Sequence, residues 1–413
     1  MILTAILLAK SRLSLEDIGA YEMLLYIAYT LGFWWVSGLV QALLSVYPRL
    51  DRAAQRKLVA QSWLLFVGIS GGLLLFVRLF EPQVLQLLSG QPHVQYFRLF
   101  TVFMVLHFPA YLLENLLLLQ DRLREIIWYG IFTFGAQLVA VLLPVYMGYD
   151  FYWSIAGLTL SAALRHIWLL WHICREGHFE WDGQMLLNWL RIAAPLILYA
   201  VLGGFNTVFD NWLVNWHYAG DEAQFAIFRY GAQELPLTLA LINAFGAAMI
   251  PQVAKNLPIA LTLVKAQSLR LFHLLFPLSI LLMLSGRQLF PLVFNESFLP
   301  SVKIFNIYLL ILISRMLFAR PILTGLQANM GVLVISIIEL IINTLVSLFL
   351  VRHYGMLGIA IGTLVAYTME KAMLCAYLYI RLGVAVQTYT DLRWFAFYSI
   401  ALIGAYVITT ILF

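Results

Sequence analysis

Long apolar segments follow one another along this chain with only short polar gaps between them. They run over about 20–46, 59–80, 97–120, 125–147, 151–172, 190–214, 223–250, 268–295, 303–326, 330–351, 356–381 and 394–413. About 20 apolar residues suffice for a helix to cross the hydrocarbon of a bilayer. Inside hydrocarbon every backbone N–H and C=O needs an internal partner, so such segments are helices. A β-barrel would instead show segments of about ten residues with alternating polarity. The expectation is an all-α polytopic membrane protein with about 12–13 transmembrane helices, in two six-helix lobes around a central cleft. Of the 413 residues 63% are hydrophobic and 11% charged, against roughly 25% charged in a soluble domain. That balance excludes a soluble enzyme, a nucleic-acid binder and a disordered chain.

The first apolar run, ILTAILLA, reaches only to Lys10. It is too short to span, so the first helix reads as truncated, with the true start expected upstream. No basic stretch precedes it, as a cleavable signal peptide would require. Cys174 and Cys375 are far apart and lack metal-ligand spacing, so both read as small apolar residues. Neither a metal nor a cofactor is expected.

Lys and Arg in the gaps set the orientation. With the N-terminal stub running outward, the inner gaps hold Arg49, Arg52, Arg56, Lys57, Arg122, Arg124, Arg175, Arg191, Lys255, Lys265, Arg270, Arg381 and Arg393. The outer gaps hold only Lys10, Arg12, Arg98, Lys303 and Arg352. The polar stretch 174–189, CREGHFEWDGQMLLNW, then falls inside and reads as a cytoplasmic linker. It separates an N-terminal lobe, 1–173, from a C-terminal lobe, 190–381, followed by an extra helix in 382–413. The lobes echo each other. Aligning the segment from Gly19 with that from Ala223 places Tyr21 on Phe225, Tyr26 on Tyr230 and, with a one-residue gap, Pro48 on Pro251. Both segments run from outside to inside, which implies halves related by an axis along the membrane normal.

Several stretches carry a family resemblance. SLEDIGAYEMLLYIAYTLGFWWVSGLVQALL, APLILYAVLGGFNTVFDNWLV, FAIFRYGAQELPLTLALINAFGAAMIPQVAK and HYGMLGIAIGTLVAYTMEKAML are similar to the Wzx-type polysaccharide flippases. Those belong to the multidrug/oligosaccharidyl-lipid/polysaccharide exporter superfamily. The resemblance covers nearly the whole chain and rests on apolar patterns with a few fixed small and aromatic residues. It implies movement of undecaprenyl-pyrophosphate-linked oligosaccharide units across a bacterial inner membrane by alternating access, for lipopolysaccharide O-antigen or other cell-surface polysaccharide biosynthesis. The implied partners are that substrate, membrane lipids and a polysaccharide polymerase or ligase. No nucleic acid and no catalytic residue is implied.

A diphosphate head group favours a cationic, hydrated site, and arginine suits it because its planar fork bonds bidentately and stays charged. Arg229, Arg315 and Arg320 are the candidates for the head group. Arg229 is near Asp210 on the preceding helix, so an ion pair between them and a substrate contact are both open. On one straight helix Arg315 and Arg320 stand about 140° apart and cannot both face one direction. Arg165 and His166 lie within the sixth helix with the same ambiguity.

An intramembrane carboxylate needs a reason to be there. Asp210, Glu114, Glu339 and Glu370 are the candidates for ion coupling or positioning, with Asn343 four residues after Glu339 on the same face. Glu234 is a further intramembrane carboxylate, and helix–helix hydrogen bonds are the bland alternative for each. His107 and Glu114, two turns apart, read as a polar stripe. Glu370 and Lys371 are neighbours and are expected not to face each other. Pro195, Pro236 and Pro277 are expected to kink helices.

Two other functions compete. An ion-coupled multidrug or cation antiporter of the same superfamily would share the architecture but favour carboxylates over arginines. A polytopic glycosyltransferase or O-antigen polymerase would need catalytic groups on a large outer loop, and only Glu16 and Asp17 superficially match. The sequence contains no phosphate-cradling glycine loop and no nucleophile elbow.

Overall fold

A computed structural model describes residues 2–412, whose regular structure is all helix, with no strand among them. By packing, the chain divides into two compact units, Met1–Ala226 and Ile227–Phe413. The first contains α1 (Ile2–Ala9), α2 (Leu15–Val46), α3 (Arg52–Leu79), α4 (Glu81–Ser89), α5 (Phe97–Leu119), α6 (Leu123–Met147), α7 (Tyr152–Glu176) and α8 (Gly183–His217). The boundary falls inside α9 (Glu222–Gly231). The second contains α10 (Pro236–Lys255), α11 (Leu257–Val293), α12 (Ser301–Arg315), α13 (Ala319–Gly325), α14 (Asn329–Tyr354), α15 (Met356–Leu382), α16 (Val386–Tyr389) and α17 (Leu392–Leu412).

Among the described residues, ten helices are long and apolar enough to cross a membrane, or eleven if the bent pair α12–α13 is one span. The protein is thus a multi-pass, all-α membrane protein. Each of the twelve expected segments corresponds to a helix or helix pair. The segment 151–172 is α7, which falls outside that set; Arg165 and His166 in its middle lower its apolarity. The segment 223–250 is not one helix but α9 and α10. The expected linker is largely helical too, since α7 runs to Glu176 and α8 starts at Gly183. Packing places α8 with α2 in the first unit, a division distinct from the one drawn by internal repeat. The short α4 has no counterpart among the expected segments.

Helix starts are set by local chemistry. Ser14 and Asp17 form a capping box at α2: Asp17 N–H donates to Ser14 Oγ at 3.1 Å, and Ser14 N–H to Asp17 Oδ2 at 3.2 Å. Each carboxylate or hydroxyl so placed satisfies a backbone donor that lacks a partner within the helix. Asp17 therefore has a structural task at the position compared above with an enzyme acid. Asp182 caps α8 through Met185 N–H at 2.9 Å, and Asn256 caps α11 through Ile259 N–H at 3.2 Å.

Between the spans, small residues allow close approach, because lipid tails compete equally well for apolar surface. Gly204 of α8 lies against the Phe33 ring of α2, and Gly38 of α2 against Ile197 of α8. In the second unit α14 and α15 form a tight hairpin. There a Cβ on Gly358 would run into the backbone of Leu350, and one on Gly362 into Ser347. Replacing Gly358 with valine should therefore lower the thermal unfolding midpoint in detergent, by an overpacking penalty of about 1–3 kcal/mol. The control, Gly71→Ala, meets open space on α3 and should not lower it. Equal midpoints for the two variants would refute close packing of this hairpin.

Candidate functional site

Four charged candidates of the second unit, Glu234, Arg315, Arg320 and Glu370, gather where two helices are interrupted. Residues 232–235 separate α9 from α10, and Leu235 is extended with φ −61° and ψ 117°. The cause is local: a proline disfavours the helical conformation in the residue before it, and tolerates the first position of a new helix. The second interruption is Met316–Phe318, where α12 and α13 meet at a 42° bend. Glu234 lies in the first break and Arg315 ends α12 at the second.

These two side chains form a bidentate ion pair. Arg315 Nε donates to Glu234 Oε2 at 3.0 Å, and Nη2 to Oε1 at 2.6 Å. The guanidinium carbon lies 4.5 Å from the centroid of the Tyr367 ring, within cation–π range. One bend further on, Arg320 Nη2 donates to Glu370 Oε1 at 2.5 Å and to Ser336 Oγ at 2.8 Å. Lys371 Nζ reaches the other Glu370 oxygen, Oε2, at 3.3 Å. Tyr367, Glu370 and Lys371 are spaced three and four residues apart on α15 and share a face. Arg315 lies within electrostatic range of both Glu370 and Lys371. The result is one cluster of Glu234, Arg315, Arg320, Ser336, Tyr367, Glu370 and Lys371.

Two expectations are corrected by this geometry. The 140° separation of Arg315 and Arg320 assumed one straight helix. The bend between them lets both reach α15. Glu370 and Lys371, expected not to face each other, are paired because the long lysine stem curls back to the neighbouring carboxylate. The exposures differ sharply within the Arg320 pair: the Arg320 side chain is 42% exposed while Glu370 is 3% exposed. A buried carboxylate anchors a guanidinium that still presents an open face.

The other candidates are distributed as follows. Glu339 and Asn343 are both buried on α14, and Asn343 Oδ1 accepts from Ser347 Oγ at 3.1 Å. Asp210 is buried on α8 in the first unit. Arg229 lies on α9, on the side of the boundary that belongs to the second unit. Glu114, on α5, is half-buried.

A separate polar cluster in the first unit is centred on Arg165 of α7, which sequence reasoning left ambiguous. Its Nε donates to Tyr129 Oη of α6 at 3.0 Å. Its Nη1 lies 3.2 Å from His107 Nδ1 of α5. His107 Nε2 is in turn 3.2 Å from Tyr111 Oη. With arginine donating to Nδ1, the imidazole carries its proton on Nε2 and donates to the tyrosine. Arg165 also lies over the Tyr111 and Tyr129 rings, at 5.9 and 5.6 Å. The expected His107–Glu114 stripe is thus organised around an arginine from another helix.

Solved structures with this fold are membrane transporters of the MOP superfamily. One is the lipid II flippase MurJ in an inward-closed conformation, matched over 100% of this chain and 90% of that one, with TM-score 0.79 and 15% identity. Another is an outward-facing multidrug-resistance MATE transporter, with 92% of each chain covered, TM-score 0.58 and 14% identity. A third is a MOP superfamily transporter from Pyrococcus furiosus whose binding pocket has reversed polarity, at TM-score 0.58 and 13% identity over 92% of this chain and 91% of that one. At these identities the likeness is one of fold. No protein-family model and no curated protein sequence matches the chain.

Two measurements test the electrostatics. Removing Arg315 alone leaves the partly open Glu234 carboxylate without its partner, so Arg315→Ala should destabilise by about 1.5–3 kcal/mol. The double variant Glu234→Gln/Arg315→Gln should lose distinctly less, and a double-mutant cycle on chemical unfolding reads the difference. The second concerns Glu222, the first residue of α9. Its partial burial, then the nearby carboxylates Asp17, Glu16 and Asp221, push its pKa up from 4.5 to about 7. The folded state therefore holds this proton where the unfolded chain has lost it, and stability falls as pH rises from about 4.5 to about 7. Glu222→Gln should flatten the thermal midpoint across that window. An unchanged pH profile would refute this origin.

Proposed function

We propose that the protein moves undecaprenyl-pyrophosphate-linked oligosaccharide units from the inner to the outer leaflet of a bacterial inner membrane. It does so by alternating access and serves cell-surface polysaccharide biosynthesis. The observation that carries this reading is the cluster of Arg315, Arg320 and Lys371 around Glu234 and Glu370. Three cations with guanidinium forks among them suit a doubly charged phosphate ester. The likeness to a lipid II flippase, at TM-score 0.79 over the whole chain, supports the same class of cargo. Arg229 is a further head-group candidate, and Asp210 a candidate for positioning or ion coupling. Glu339, Asn343 and Glu114 are candidates for ion coupling.

The antiporter reading has a specific support as well, since MATE multidrug transporters share the fold at TM-score 0.58. Polarity of the site favours the flippase reading. A cation pump would present carboxylates to its cargo, whereas here Glu234 and Glu370 are engaged by basic side chains.

Purified protein in liposomes should move a fluorescent polyprenyl-diphosphate oligosaccharide between leaflets faster than protein-free liposomes do. Arg320→Ala should slow it roughly tenfold or more, the loss expected for a charge-assisted bond of about 1.5–3 kcal/mol. Arg229→Ala should slow it too. No movement of any lipid-linked sugar, together with ion-coupled uptake of organic cations, would overturn the flippase reading.

A further inference from the structure

The Glu234–Arg315 pair has the geometry that a phosphate would have. Two parallel N–H···O bonds, at 3.0 and 2.6 Å, are what a guanidinium makes with either a carboxylate or a phosphoryl group. We propose that Glu234 is a built-in competitor at an anion site on Arg315, and that a diphosphate group takes this guanidinium by displacing the Glu234 carboxylate. The inference rests on the reading of this cluster as a head-group site.

Three observations say which partner would move. Arg315 is held from a second side by the Tyr367 ring at 4.5 Å, so it keeps its place when the carboxylate leaves. Glu234 stands in the non-helical break 232–235, next to extended Leu235. Its backbone is not locked into a helical hydrogen-bond ladder and can turn without breaking one. Both side chains are partly open, at 23% for Arg315 and 19% for Glu234, so an incoming anion can reach the fork.

Charge gives the direction. With Glu234 engaged, the five ionised groups comprise three cations and two carboxylates. With it displaced, Arg315, Arg320 and Lys371 face Glu370. The excess positive charge then matches a diphosphate, which brings its own oxygens to both arginines. Removing the competitor also changes the backbone: once Glu234 is free, nothing ties the α9–α10 break to the α12–α13 bend through this pair. Head-group arrival and helix rearrangement would thus be one event.

The test uses the full chain in lipid nanodiscs, titrated with inorganic pyrophosphate by calorimetry at fixed ionic strength. Glu234→Gln should bind about tenfold tighter than the unsubstituted protein, the factor that corresponds to ~1.4 kcal/mol of relieved competition. Arg315→Lys in the Glu234→Gln background should lose that gain, because a point charge cannot replace the fork. A second arm uses undecaprenyl diphosphate in the nanodisc. A gain with both probes identifies the diphosphate itself as the ligand. A gain with pyrophosphate alone keeps the competition and points to a free anion, against the flippase reading. If Glu234→Gln does not fold, Glu234→Asp serves: its shorter carboxylate cannot span the fork, and binding should tighten severalfold. Folded Glu234→Gln or Glu234→Asp protein that binds pyrophosphate no better than the unsubstituted chain overturns the proposal, leaving Glu234 a structural tie. Failure of the liposome transport assay with the tenfold gain intact would sink the transport reading alone.

Discussion

Hydrocarbon offers no partner to a backbone amide or a charge, and the charged cluster of the second unit forms where two helices are interrupted. An interrupted helix is tolerated within a span only where protein groups hold the freed segment. Here the two interruptions lie at 232–235 and 316–318, and the bidentate Glu234–Arg315 pair ties one to the other. Arg315 is the last residue of α12, and the bend that follows it is what turns Arg320 toward α15. The Glu370 and Lys371 contacts follow from that turn. Remove the bend and the cluster separates into arginines on different faces.

The two units bury cations in opposite ways. Arg165 in the first unit is nearly inaccessible and hydrogen-bonds neutral groups, a tyrosine hydroxyl and an imidazole nitrogen, between two aromatic faces, with the Glu114 carboxylate in electrostatic range but not hydrogen-bonded to it. Such an arrangement ties α5, α6 and α7 together and leaves no open face for a ligand. The second unit instead bonds its arginines to carboxylates and leaves the Arg320 side chain 42% exposed. A cation held by neutral partners is a fixture, whereas one held by an anion can exchange that anion for another. This is the physical reason for placing function in the second cluster and structure in the first.

The helices themselves were legible because the apolar run is a local signal: every expected span corresponds to a helix or helix pair. The break at Leu235 was legible in principle, since a proline announces it, although 223–250 reads as continuous on apolarity alone. The pairing of Glu234 with Arg315 was not legible. The two are 81 residues apart, and no local periodicity relates them. The same holds for Arg165, whose partners come from two other helices. The short α4 was missed because its Glu81, Gln83 and Gln86 break any apolar run. Individual charged residues were found by their rarity in hydrocarbon, and their partners emerged only from tertiary packing.

A fold shared by flippases and drug pumps does not by itself name a cargo; the distinguishing property is which ion the cluster can exchange. A cationic cargo would need Glu234 or Glu370 released from its partner. Glu370 is buried and doubly engaged, by Arg320 at 2.5 Å and Lys371 at 3.3 Å. Freeing Glu234 for a cation would leave Arg315 without a carboxylate beside two other basic groups, which low dielectric makes costly. An anionic cargo meets neither obstacle. It would replace one carboxylate on a non-helical segment and keep every cation paired. The asymmetry in cost, more than any count of arginines, is what favours a phosphate-bearing substrate.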